Sequence, residues 1–193
     1  MKALDLPLAE GANRILGLEA LLLAQQQRRP APVESWDPPY LGDIGLRIRA
    51  DGVWFYQDTP IVRNSLVRLF AGVLRRDADG KHYLVTPAEK VDVAVEDAAF
   101  LAVEMEVRGA GLDQTLIFRT NVEDILSAGP AHPLRFAIEA GSQGLKPYLL
   151  VRGRLEALLT RALCYELLEL AVPSEQEPRR PGVFSGGSFF ALP

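Results

Sequence analysis

Between Leu41 and Val107 the apolar period changes from two to about 3.6 and back to two. That switch constrains the chain more than any other feature. Leu46 and Ile48 alternate with Arg47 and Arg49, the pattern of a half-buried strand. Ala50-Asp51-Gly52 supplies a turn, and Val53 to Tyr56 then reads as the returning strand of a hairpin. Over residues 62–75, Leu66, Leu69, Phe70, Val73 and Leu74 take up helical spacing, with Arg75 and Arg76 placed to suit the dipole at the C-terminal end. Strand patterns return at His82 to Thr86, Val91 to Val95 and Phe100 to Val107. In the last, Leu101, Val103, Met105 and Val107 share one face, which predicts a mostly antiparallel sheet with one wet side.

The rest of the chain repeats this vocabulary. Gln114 to Arg119, Leu134 to Ile138 and Tyr148 to Val151 read as strands, and residues 154–170 as a second core helix. The segment 121–126 fits either a helical turn or a short strand. Both halves carry R-x-x-L-x-x-L-[FL] near a proline, once from Arg63 and once from Arg152, which suggests two duplicated strand–helix modules. Ahead of them, residues 11–27 read as an apolar helix, and the four prolines of residues 28–39 as an extended linker. The expected class is therefore α+β: an N-terminal helix and linker over residues 1–39, a first module over 40–108 and a second over 109–193. The tail from Pro173 is rich in Pro, Gly and Ser, but Phe184, Phe189 and Phe190 predict that part of it docks.

Several function classes fall away. A net charge of -4 opposes general nucleic-acid binding. No GxxxxGK[ST] or GxGxxG loop is present, and His82 and His132 lack metal-ligand spacing, so no cofactor is expected. The single cysteine, Cys164, fits a reducing compartment, and the N-terminus does not read as a signal peptide. No apolar run approaches the ~20 residues of a membrane span, so a cytoplasmic protein is expected.

The 21 cationic residues comprise 17 Arg and 4 Lys, and several Arg stand in strands beside aromatic residues. A guanidinium grips phosphate or carboxylate bidentately, and an aromatic ring can stack on a base. The candidate ligand-binding set is Arg47, Trp54, Tyr56, Arg63, Tyr83, Arg119, Arg135 and Arg152. The competing reading is that these arginines pair with Asp and Glu across strands. Arg135 and Arg152, flanked by apolar residues, most need a partner. Carboxylates gather at Glu89, Asp92, Glu96, Asp97, Glu104 and Glu106. A solvated strand face explains Glu104 and Glu106, whereas Glu96 and Asp97, paired with His82, leave an enzymatic reading open.

The segments Gly52-Val53-Trp54-Phe55-Tyr56, Thr86-Pro87-Ala88-Glu89-Lys90-Val91, Val95-Glu96-Asp97-Ala98 and His132-Pro133-Leu134-Arg135-Phe136 resemble an uncharacterised bacterial family known as domain of unknown function 1285. The resemblance covers about residues 36–190, with Ala99 standing where the family pattern has Pro. It implies a duplicated α/β core with a pleckstrin-homology-like second half. It also implies a nucleotide-like ligand between the halves and a role in signal transduction. It supplies no catalytic residues. The expectation is a non-enzymatic sensor or adaptor for a small anionic ligand, with a protein-interaction module as the alternative.

Overall fold

The structure, a computed structural model, describes residues 31–173 and 180–193. The helix expected over residues 11–27 lies outside the described residues, as does the tail segment 174–179. The chain forms two compact units. One holds the described residues up to Arg49 together with Val53–Val95, and the other holds Ala50–Gly52 and Glu96–Pro193.

The first module is a six-stranded sheet. Its strands are β1 (Tyr40–Ile48), β2 (Trp54–Tyr56), β3 (Thr59–Pro60), β4 (Leu74–Arg76), β5 (His82–Val85) and β6 (Lys90–Val95), in the order β3-β2-β1-β6-β5-β4. Neighbours are antiparallel except β1 and β6, which run parallel. Helix α1 (Asn64–Gly72) lies between β3 and β4 in the chain. The expected hairpin is present, pairing Leu46 with Tyr56, Arg47 with Phe55 and Ile48 with Trp54. Side chains alternate across a strand, so Leu46, Ile48 and Trp54 enter the core, where Trp54 packs near Phe70 of α1.

The second module uses β7 (Phe100–Arg108), β8 (Thr115–Thr120), β9 (Ile125–Ser127), β10 (Leu134–Ile138), β11 (Leu145–Arg152) and β12 (Leu155–Leu159). Its order, β10-β11-β12-β7-β8-β9, is that of the first module read from the other edge, and its first and last strands are again the parallel pair. One topology has thus been laid down twice. The repeat also keeps sequence in register. Leu74-Arg75 of β4 lie opposite Leu84 and Tyr83 of β5, and Leu134-Arg135 of β10 lie opposite Leu149 and Tyr148 of β11. The Arg63–Arg152 echo does not mark this repeat. Arg63 precedes α1 and Arg152 ends β11, positions that the topology does not equate.

The boundary falls between Val95 and Glu96, ahead of the 108/109 division expected from sequence, because β7 pairs only with strands of the second module. Both helices are shorter than the apolar spacing predicts. Val73 and Leu74 lie beyond α1, and Arg75 and Arg76 sit in β4 rather than at a helix end. Residues 155–159 form β12, whose buried Leu155, Ala157 and Leu159 alternate, and helix α2 (Arg161–Glu169) begins only after it. In β7 a bulge between Ala102 and Glu104 resets the alternation. Leu101 and Val103 therefore leave the face shared by Met105 and Val107, which stand opposite the buried Phe118 and Leu116, and Phe100 and Ala102 fill the core instead.

The tail docks through a three-stranded sheet of β13 (Val172–Pro173), β14 (Pro181–Ser185) and β15 (Ser188–Ala191). Ser185 is fully buried; its hydroxyl accepts from the Leu116 amide and donates to the Ala128 carbonyl, at 2.8 and 2.7 Å. Phe184 and Phe189 pack across the hairpin with ring centres 4.8 Å apart and planes tilted by 54°. No helix among the described residues is long and apolar enough to cross a membrane.

Candidate functional site

The outer face of the β1–β2 hairpin gathers two guanidinium groups around one aromatic ring. Alternation that sends Leu46, Ile48 and Trp54 inward sends Arg47, Arg49 and Phe55 outward. The Arg47 guanidinium lies 5.7 Å from the Phe55 ring centre and that of Arg49 lies 5.5 Å from it. Two cations thus share one ring, an arrangement that its quadrupole favours. Arg47 has one carboxylate partner, Asp58, at 2.8 Å. That partner is 90% exposed, on the two-residue turn Gln57–Asp58, where both residues take positive φ as such hairpin turns require. The buried Nε of Arg47 has no hydrogen-bond partner among the described residues, and Arg49 makes no ion pair with them. An exposed ion pair contributes roughly 0–1 kcal/mol, so an incoming anion can displace Asp58 at little cost.

Phe55 was hidden in plain alternation. It stands opposite Arg47, whereas Trp54 and Tyr56 stand opposite Ile48 and Leu46. Trp54 is 1% exposed and its indole Nε1 has no partner among the described residues, so it is a core side chain and not a stacking wall. Tyr56 is half-buried and its hydroxyl meets Gln57 at 3.3 Å. Arg63 is exposed at the N-terminal cap of α1.

The remaining arginines follow the cross-strand alternative. Arg119 pairs with Glu104, its direct register partner, at 2.6 Å, and with Glu123 at 3.4 Å. Its hydrogen bond to Glu104 raises its already high pKa further. Arg152 pairs with Asp124 at 3.1 Å and lies over Phe100 at 5.2 Å. Arg135 grips Glu156 with Nε and Nη2 at 2.7 and 2.8 Å while its guanidinium stacks 4.2 Å above Tyr148.

Each module also holds a tyrosine between a cation and an aspartate. In the first, Tyr83 is buried, Lys90 Nζ stands 4.2 Å above its ring, and its hydroxyl donates to Asp79 at 2.7 Å. That hydrogen bond, then burial, holds its pKa far above the ordinary phenol value. Tyr83 is thus fastened within its own module. In the second, Tyr148 donates to Asp97 at 2.7 Å, and burial followed by that bond pushes its pKa up to about 12. Lys146 bridges Asp97 and Glu139, at 2.9 and 2.7 Å.

Each residue of the enzymatic reading has its own surroundings within its module. Asp97 is engaged by Lys146 and Tyr148, and Glu96 accepts from the Ala50 amide at 3.0 Å. His82 belongs to the first module, where burial and then the charge of Arg76 push its pKa down to about 4. Among the described residues no three His, Cys, Asp or Glu side chains gather as metal ligands.

These features define a class: a two-module α+β protein in which one six-stranded topology is repeated and two arginines share one aromatic ring on a hairpin face. The chain belongs to the DUF1285 family, whose N-terminal domain model matches residues 31–98 and whose C-terminal domain model matches residues 99–192. It is similar to the crystal structure of a DUF1285 family protein from Silicibacter pomeroyi DSS-3. That match has 44% identity and a TM-score of 0.81, covering 89% of this chain and 93% of that one. It is also similar to a DUF1285 family protein from Shewanella baltica OS155, at 28% identity and a TM-score of 0.51, covering 65% of this chain and 91% of that one. No curated protein matches the chain.

Proposed function

We infer that this protein is a cytoplasmic, non-enzymatic sensor or adaptor that binds a small anionic, nucleotide-like ligand on the outer face of the β1–β2 hairpin. The observation that carries this reading is the pair Arg47 and Arg49 sharing the Phe55 ring, opposed by the single exposed carboxylate of Asp58. A phosphate group is a better partner for two guanidinium forks than one solvated carboxylate, because it offers more acceptor oxygens and more charge. Phe55 adds an apolar surface beside the cations, suited to a ligand with a flat base as well as phosphate.

Isothermal titration of the whole chain with pyrophosphate, ADP and GDP tests the reading. Saturable binding that Arg49→Ala weakens at least tenfold, and that weakens as salt rises, is the expected outcome. Absence of binding by all three at millimolar concentration overturns it. Tighter binding of ADP or GDP than of pyrophosphate would show that Phe55 takes part. A protein-interaction role is the second reading, supported by the half-exposed Arg135 on the edge strand β10.

A further inference from the structure

The two modules place an arginine at the same position in the repeat. Arg75 in β4 faces Tyr83 in β5, and Arg135 in β10 faces Tyr148 in β11. Both strands are the outermost on their side of the sheet. Both arginines divide their guanidinium in the same way. Arg75 turns Nε and Nη2 to Asp77, at 2.6 and 3.2 Å. Arg135 turns Nε and Nη2 to Glu156, at 2.7 and 2.8 Å. In each case the carboxylate aims the fork and leaves Nη1 pointing onward.

In the first module Nη1 is occupied. It donates to the carbonyls of Val33 and Trp36, at 2.7 and 2.8 Å. Those carbonyls stand three residues apart because Val33–Ser35 is a single 3-10 turn, closed by the Ser35 hydroxyl donating to the Pro32 carbonyl at 2.8 Å. Val33 and Arg75 are buried together, 7% and 8% exposed. The first module has therefore bound a short Pro-Val-x-x-Trp segment of its own chain against β4. In the second module Nη1 of Arg135 has no partner among the described residues, and the side chain is 51% exposed. Tyr148 is 8% exposed beneath the Arg135 guanidinium, and the half-buried Leu158, opposite it on the same face, supplies the accessible apolar surface beside the donor.

We propose that the outer face of the second module around Arg135, Tyr148 and Leu158 docks a turn-forming segment of a partner protein. It would present two main-chain carbonyls three residues apart and one buried apolar side chain, as residues 31–36 do on the first module. Charge-assisted bonds from one guanidinium to two carbonyls give such a segment its orientation, and the open strand edge lets the rest of it lie alongside β10. This site is separate from the Arg47–Arg49 face, so either can fail without the other.

The probe is the blocked hexapeptide Ala-Pro-Val-Glu-Ser-Trp, the sequence of residues 31–36, added to the whole chain labelled with nitrogen-15. Saturable shifts at Arg135, Tyr148 and Leu158 with a Kd below about 1 mM, and at least tenfold weaker binding by Arg135→Lys, are expected. Lysine keeps the charge near Glu156 but lacks the fork. Glu156→Gln, which loosens the aim of the guanidinium without removing it, should weaken binding less than Arg135→Lys. No saturable shift, shifts confined to the first module, equal binding of a scrambled hexapeptide, or undiminished binding by Arg135→Lys in a protein of unchanged melting temperature would each overturn the proposal.

Discussion

Arg75 shows why a residue's neighbours matter more than its type. Its guanidinium is buried, paired with Asp77, and holds two backbone carbonyls. Asp77 is shared with Lys90 at 3.0 Å. Burial alone would raise the Asp77 pKa, but hydrogen bonds from Arg75 and Lys90 outweigh it and hold that pKa low. Replacing Arg75 with Met leaves the half-buried Asp77 carboxylate with Lys90 as its remaining cation and two carbonyls unbonded, so a loss of about 2 kcal/mol is expected in urea denaturation. His82 gives a pH signature. Its folded pKa of about 4 lies below its ordinary 6.5, so between those values the unfolded chain binds a proton that the folded chain refuses. Stability is full above pH 6.5 and falls as pH drops through that window, by about 2 kcal/mol once residual solvent contact of the ring is allowed for. His82→Gln should flatten the change between pH 6.5 and 4.5 in urea midpoints, and an unchanged slope would assign it to other groups.

The strands show what periodicity reveals and where it misleads. The β1–β2 hairpin was fully legible, because Leu46, Ile48 and the Gly52 turn obey one local rule. Gly52 takes φ +77°, and a Cβ there would stand 2.9 Å from Asn121 Nδ2. The helix ends were not legible. Leu155, Leu159, Leu163 and Leu167 recur every four residues, a spacing that a strand of alternating burial followed by a helix can also produce. The bulge in β7 likewise reverses burial without leaving a mark in the pattern. The site was legible in part. Strand arginines beside aromatic residues are legible in the sequence, but which ring shares a face with Arg47 depends on the cross-strand pairing that sets Phe55 opposite it. Carboxylate pairing of Arg119, Arg135 and Arg152 depends on register, which no single strand carries. The docked tail offers an element-level test. Ser185→Ala leaves the Leu116 amide and Ala128 carbonyl unbonded, at a cost of about 2 kcal/mol, and should make the β14–β15 hairpin the first site cut in limited proteolysis. Gly182→Ala should do the same, since a Cβ there would meet Phe189 and the Phe190 carbonyl within 2.5 Å.

Across the whole molecule, repetition of one topology is matched by divergence of what each copy does with its outer face. Leu-Arg facing Tyr-Leu survives in both modules, yet one arginine is buried under the chain's own segment and the other stays open. With a net charge of -4, the chain as a whole repels anions, so a ligand of the β1–β2 face must be small enough to meet Arg47 and Arg49 without the acidic remainder. The most direct measurement follows the Arg47 Nε–H resonance by NMR while pyrophosphate is added to the whole chain. An anion held at that face should shift it saturably, and the Arg49→Ala chain should lose the response, while the Arg119 and Arg135 signals, already committed to carboxylates, stay in place. An unmoved Arg47 signal, or equal shifts at all three arginines, would contradict an anion site on the β1–β2 hairpin.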